Sequence, residues 1–148
     1  MKSSFPKWEN LPQLDLYLDQ VLSYVNQTIL AATDQPQVTL TASMVNNYVK
    51  HGYIPKPIKK KYNSLQVARL LAITSLKPVF SIQDIWTAIE KLELPPEQLY
   101  NSFVSAMNEE NADIPELILS ACHTLKTYYQ TRQLLSQLES EVSHESNS

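Results

Sequence analysis

Glycine is almost absent: a chain of 148 residues has one, Gly52. Glycine enters positive φ without steric penalty, so its scarcity argues against folds rich in tight β-hairpins and excludes a glycine-rich phosphate loop. Nine prolines are an ordinary number and fit helices joined by short, proline-marked connections. Cysteine is as scarce as glycine. The lone Cys122 cannot form an internal disulfide, which makes a reduced, cytoplasmic setting the expectation. No apolar run nears the ~20 residues of a membrane-spanning helix, and Met1 to Asn10 lacks the apolar core of a secretion signal. A soluble protein without a membrane partner is expected. Metal-ligand spacing is missing too. His51 and His144 stand apart, and Cys122 and His123 are helix neighbours pointing about 100° from each other, which does not make a dyad. Glu109, Glu110 and Asp113 read as a solvated turn. No metal, no cofactor and no catalytic constellation is expected, and an enzyme ranks last among the function classes.

The most informative absence concerns acid. Between Gln35 and Gln83 there is no Asp or Glu, while Lys50, Lys56, Lys59, Lys60, Lys61, Arg69 and Lys77 stand in the same window. The whole chain carries 12 basic and 15 acidic residues, net −3, so the remainder holds five basic against 15 acidic residues, net −10. A mildly acidic protein with one strongly basic third is polarised, and such asymmetry points to a polyanion-binding surface. Five of the seven charges, Lys50 to Lys61, fall within twelve residues.

What is present is helical periodicity. Leu14, Tyr17, Leu18, Val21, Leu22, Val25 and Ile29 predict a helix over 14–32. A shorter helix is expected over about 41–51, capped by Thr39 or Thr41, with Val45, Tyr48 and Val49 inward and Gly52 at the left-handed stop. The segment Tyr53 to Tyr62 carries prolines at 55 and 57, which forbid helix and favour extended backbone. Ile54, Ile58 and Tyr62 are expected to anchor this arm, with Lys56, Lys59, Lys60 and Lys61 projecting outward. Asn63 or Ser64 caps a third helix to about Leu76, and Ser81 caps a fourth over 82–92 with Ile82, Ile85, Trp86 and Ile89 inward. Pro95-Pro96 is the clearest boundary, dividing 1–94 from 95–148. A fifth helix over 97–108 and a long sixth from Pro115 to Glu141 complete the chain, with a frayed tail from Ser143. The fold class is therefore all-α, with at most a small extended wing.

Helix, turn, helix, basic arm and two further helices resemble the plan of the MerR-type winged helix-turn-helix over roughly residues 39–89. The residues carrying the resemblance are the helix from Met44 through Tyr48 to Lys50, then Gly52-Tyr53-Ile54-Pro55, then Lys59-Lys60-Lys61-Tyr62-Asn63-Ser64, then Leu70, Ile73, Lys77 and Ser81-Ile82. Asn46 stands where those proteins usually place a recognition arginine. The chain is more similar still to a domain-of-unknown-function family of Gram-positive bacterial proteins with a MerR-like start, through Thr41, Met44, Asn46, Asn47, Tyr48, Val49 and Lys50, and then Pro57, Lys60, Lys61 and Tyr62. The resemblance implies a winged helix-turn-helix followed by a helical C-terminal extension, and a regulator of transcription acting on double-stranded DNA.

The residues themselves give that expectation a mechanism. Ser43, Asn46, Asn47, Lys50 and His51 occupy the outer side of the second helix, and asparagine can bridge adenine N6 and N7 in the major groove. Lys56, Lys59, Lys60 and Lys61 would neutralise phosphates, each adding about 0.9 to the salt slope for duplex DNA. The plain alternatives are a solvated lysine loop and asparagines that bond only backbone. Along the sixth helix Ile114, Ala121, Tyr128, Leu135 and Val142 recur every seven residues, extended by Ile118 and Leu125, which reads either as packing within the chain or as a homodimer seam. The rival function is a helix-turn-helix-derived protein-interaction module that binds no DNA.

Overall fold

Four-residue spacing of Val21, Val25 and Ile29 builds α1, Leu18–Thr33, with all three side chains fully buried. The computed structural model describes residues 4–146, with side chains described through residue 141. The helix starts later than its periodicity suggests. Leu14 is 81% exposed and Tyr17 about half exposed, because Leu16–Tyr17 form a short strand, β1, ahead of the helix. The Gln20 side chain turns back to accept a hydrogen bond from the Tyr17 N–H at 2.9 Å, which fixes that junction. Asp34 ends α1 in the left-handed conformation at φ 55°.

The second helix, α2, is Ala42–Lys50, with the Thr41 hydroxyl accepting from the Met44 N–H at 3.2 Å. Val45 and Tyr48 are its buried residues, and Gly52 at φ 78° follows the helix end as expected. Asn26 of α1 holds the entry to α2 from both sides, donating to the Leu40 carbonyl at 3.0 Å and accepting from the Leu40 N–H at 2.7 Å. The arm then returns through β2, Lys61–Tyr62, which pairs antiparallel with β1 in the register Leu16 to Tyr62 and Tyr17 to Lys61.

A capping box opens α3, Ser64–Leu76: Asn63 Oδ1 accepts from the Gln66 N–H at 3.2 Å and Gln66 Oε1 from the Asn63 N–H at 2.6 Å. This helix is buried nearly all round, with Val67, Leu70, Leu71 and Ile73 at the centre of the molecule. The next helix, α4, is Ile82–Leu92, capped by Ser81. Only Ile85 is fully buried in it; Ile82, Trp86 and Ile89, expected inward, are half-buried. Pro95 precedes α5, Pro96–Met107, and α6 is Glu116–Ser146. The last helix takes in part of the expected tail from Ser143, whose final residues, 147–148, lie outside the described residues.

The fold is thus all-α with a small two-stranded wing, containing six α-helices among the described residues. One continuous core runs from Phe5 to Tyr129. Pro95 consequently marks a helix start and no break in packing. Tyr129 of α6 donates its hydroxyl to the Ser75 carbonyl of α3 at 2.5 Å, Tyr100 of α5 to the Pro6 carbonyl at 2.7 Å, and the Trp8 N–H donates to Asn101 Oδ1 at 2.9 Å. Burial of this interface raises the Tyr100 and Tyr129 hydroxyls above the ordinary tyrosine range and pushes the Cys122 thiol up to about 12. Along α6 the buried line Ile118, Cys122, Leu125 and Tyr129 stops there, and Leu134, Leu135 and Leu138 are exposed. The seven-residue stripe is therefore not a free seam along its length: Ile114 is buried, Ala121 and Tyr128 are half-buried, and the side chain of Val142 lies outside the described residues. No helix among the described residues is long and apolar enough to cross a membrane.

Candidate nucleic-acid interface

Two surfaces meet at the end of α2. The first is the helix face opposite Val45 and Tyr48. Ser43, Asn46, Asn47 and Lys50 recur at the spacing of a single helix face, and all four are exposed, as is His51 at the helix end. The side chains of Asn46 and Asn47 make no hydrogen bond within the described residues, so neither serves the local backbone as Asn26 does. Two adjacent asparagines in a helix interior, each a mediocre helix former, are left with their amides facing outward.

The second surface is the wing. The N–H groups of Tyr53 and Ile54 both donate to the Tyr48 carbonyl, at 2.9 and 3.3 Å, which folds the chain directly off the end of α2. Gln66 then pins the proline segment from below, its amide donating to the carbonyls of Pro55 (3.0 Å) and Lys56 (3.1 Å). Beyond that, Ile58 and Lys61 exchange two backbone hydrogen bonds, 3.0 and 2.9 Å, closing a two-residue hairpin with Lys59 and Lys60 at its tip. Both tip residues have positive φ, 52° and 66°, as a type I′ turn requires. Asn-Gly is the pair such turns prefer; a Cβ-bearing lysine in the left-handed region costs roughly 1–2 kcal/mol.

Lys56, Lys59 and Lys60 project outward as expected. Lys61 is half-buried, its ammonium 5.1 Å from the centre of the Tyr17 ring across the strand pair. Ile58 was expected to anchor the arm and is instead 72% exposed, because the hairpin turns it away from the core that holds Ile54 and Tyr62. Among the described residues, the ion pairs are Lys7–Glu110 and Lys126–Glu109, so no carboxylate neutralises the cations of α2 or the wing.

Sequence reasoning missed the supports of the wing. Tyr17 shares the helical spacing of α1 but lies in β1. Arg69 donates to the Tyr53 carbonyl at 3.4 Å, lies 5.4 Å from the centre of the Trp86 ring, and has its guanidinium pKa lowered by burial. Tyr53 in turn meets Trp86 edge-on at 5.7 Å. The pairing of Asn63 with Gln66 three residues on was a legible capping-box signal; the second task of Gln66, holding the proline segment, had none.

The strained turn yields a prediction. Replacing the tip with its unstrained equivalent, Lys59→Asn with Lys60→Gly, is expected to stabilise the fold by about 1–2 kcal/mol. Urea unfolding checks it; a midpoint at or below that of wild type contradicts the turn assignment.

A family model described as Domain of unknown function (DUF1836) matches residues 6–103. The match takes in α2, the wing, α3 and α4, and crosses Pro95 into α5. No curated protein and no solved structure matches the chain.

Proposed function

We propose that this protein, which belongs to the DUF1836 family, is a cytoplasmic DNA-binding regulator of transcription in which α2 enters the major groove and the lysine wing grips the flanking backbone. The observation that carries this reading is the hairpin tip. Two lysines occupy positions where Asn-Gly would be unstrained, and residues held in sparsely populated backbone regions concentrate where function demands them. The acid-free surroundings support it, since three adjacent ammonium groups without carboxylate partners attract polyanions. The resemblance to the MerR-type winged helix-turn-helix supports the same placement. No chemical step is involved: affinity comes from phosphates, specificity from the α2 face and from DNA shape.

Asn46 and Asn47 are the proposed base readers. Selection of bound duplexes from a random pool should yield a preferred sequence for wild type, and Asn46→Ala with Asn47→Ala should relax it, each lost bidentate contact being worth about 1–3 kcal/mol of discrimination. Uniform weakening across all sequences would assign the pair to positioning only. Failure of wild type to retain any duplex at low salt would overturn the reading. It would favour instead a protein-interaction module, for which the exposed Ile58 beside the lysines is the supporting observation.

The reading includes a homodimer, because paired half-sites are how helix-turn-helix proteins gain specificity. The exposed Leu134, Leu135 and Leu138 on α6 are the proposed seam. Sedimentation equilibrium should find wild type dimeric and Leu134→Glu with Leu138→Glu monomeric, with monomer stability changed by no more than about 0.5 kcal/mol. A monomeric wild type at tens of micromolar contradicts the seam.

A further inference from the structure

An open cavity of about 420 Å³ lies between α3, α4, α5 and α6. Its size falls in the range of roughly 300–1,000 Å³ typical of small-molecule sites. Ala72, Ile85, Ile89, Leu99, Phe103 and Ile118 supply its apolar walls. The cavity explains part of the incomplete burial of α4. Along the lining that helix keeps Ala88, Ile89 and Leu92 half-exposed although its apolar face is turned toward the body of the protein.

The charged groups on the lining are Arg69, Asp84 and Lys91. Asp84 and Lys91 are exposed on α4, at the rim. Arg69 differs from both. It is half-buried on α3, and among the described residues no carboxylate pairs with it. One donor reaches the Tyr53 carbonyl at 3.4 Å and the cation lies against Trp86, both outside the lining, so the guanidinium stands at the edge of the cavity with most of its five N–H donors uncommitted. A partly desolvated guanidinium beside an apolar cavity, without a counterion of its own, is a site for an anionic group carried on an apolar body.

We propose that this cavity binds a small amphipathic anion, its apolar part between α4 and α5 and its carboxylate or sulfonate on Arg69. The site does not depend on DNA binding and is tested without DNA.

The probes are 8-anilinonaphthalene-1-sulfonate and its uncharged relative N-phenyl-1-naphthylamine, titrated by fluorescence into the full chain, with near-ultraviolet circular dichroism confirming the folded state. The expected result is saturable binding of the sulfonate at one site per chain, displaced by dodecanoate. Arg69→Met should weaken the sulfonate and dodecanoate about tenfold to a hundredfold while leaving the uncharged probe within about twofold. Ala88→Trp, on the half-buried wall from α4, should abolish binding of both probes. It is chosen because α4 is the least buried wall; should it fail to fold, displacement by dodecanoate in wild type and the Arg69→Met contrast decide alone. Absence of saturable sulfonate binding, or binding unmoved by a folded Ala88→Trp variant, overturns the site. Equal losses of both probes in Arg69→Met overturn the anionic assignment. Sulfonate capacity that falls as protein concentration rises would show a second copy covering the groove, and would overturn the proposal as well.

Discussion

Reversing the wing charges, with Lys59→Glu, Lys60→Glu and Lys61→Glu together, is expected to weaken duplex binding about 100-fold at roughly 0.15 M salt. Each lysine at a phosphate contributes about 0.9 to the slope of log affinity against log salt, and this contribution vanishes near 1 M. Three such contacts remove about 2.7 from the slope, which between about 1 M and 0.15 M amounts to roughly two orders of magnitude. Repulsion between the new carboxylates and phosphate adds to this. The fold should survive, because Lys59 and Lys60 are exposed and none of the three pairs with an acid in the described residues. Lys61 has one internal contact, over Tyr17 at 5.1 Å. Its loss is worth about 0.5–1 kcal/mol. The Lys59→Glu with Lys60→Glu pair therefore serves as the control, expected to keep about two thirds of the slope change. Gel retention or fluorescence anisotropy on one duplex measures both variants. Affinity unchanged by the triple substitution would remove the wing from the binding surface. The Asn-Gly tip offers a further separation: that variant should be more stable than wild type yet weaker on DNA, because it relieves the strain and deletes two charges.

The largest effect on stability is expected from Leu125→Ala. Leu125 is fully buried on α6, in the core shared with α3 and α5. Truncating a buried leucine in a packed core typically costs about 2–5 kcal/mol, and for a chain of this size about 3 kcal/mol lowers Tm by roughly 6–12 °C. One core crosses Pro95, so the loss should appear as a single shifted unfolding transition. The hydrogen bond from Tyr129 to the Ser75 carbonyl ties α6 to α3 and supports the same expectation. Two transitions, with only the second moved, would instead divide the chain at Pro95.

Local signals made much of the helical frame legible. Thr41 and Asn63 cap where their side chains suggest, and Gly52 stands at the one stop where positive φ follows α2. The outer face of α2 was legible for the same reason: Val45 and Tyr48 fix the inner face, which leaves Ser43, Asn46, Asn47 and Lys50 outside. Long-range pairing was not legible. Leu14 and Tyr17 share the helical spacing of α1, but pairing with Lys61–Tyr62 draws Leu16–Tyr17 into a strand. Scarce glycine argued against tight hairpins, yet Lys59 and Lys60 adopt positive φ themselves. No propensity rule anticipates that, because the turn is imposed by Ile58 and Lys61 closing beneath it and by Gln66 holding the segment before it. The seven-residue repeat of α6 conceals a change of role near Tyr129, where the core ends and the helix continues.

Binding of duplex DNA by the lysine hairpin and the exposed face of α2 is the central proposal. The most direct measurement is the affinity of the wild-type chain for duplex DNA across a salt series from about 50 to 200 mM. With Lys50, Lys56 and the three wing lysines on phosphates, log affinity should fall against log salt with a slope of about −4.5. No retention at the lowest salt, or a slope near zero, would contradict it.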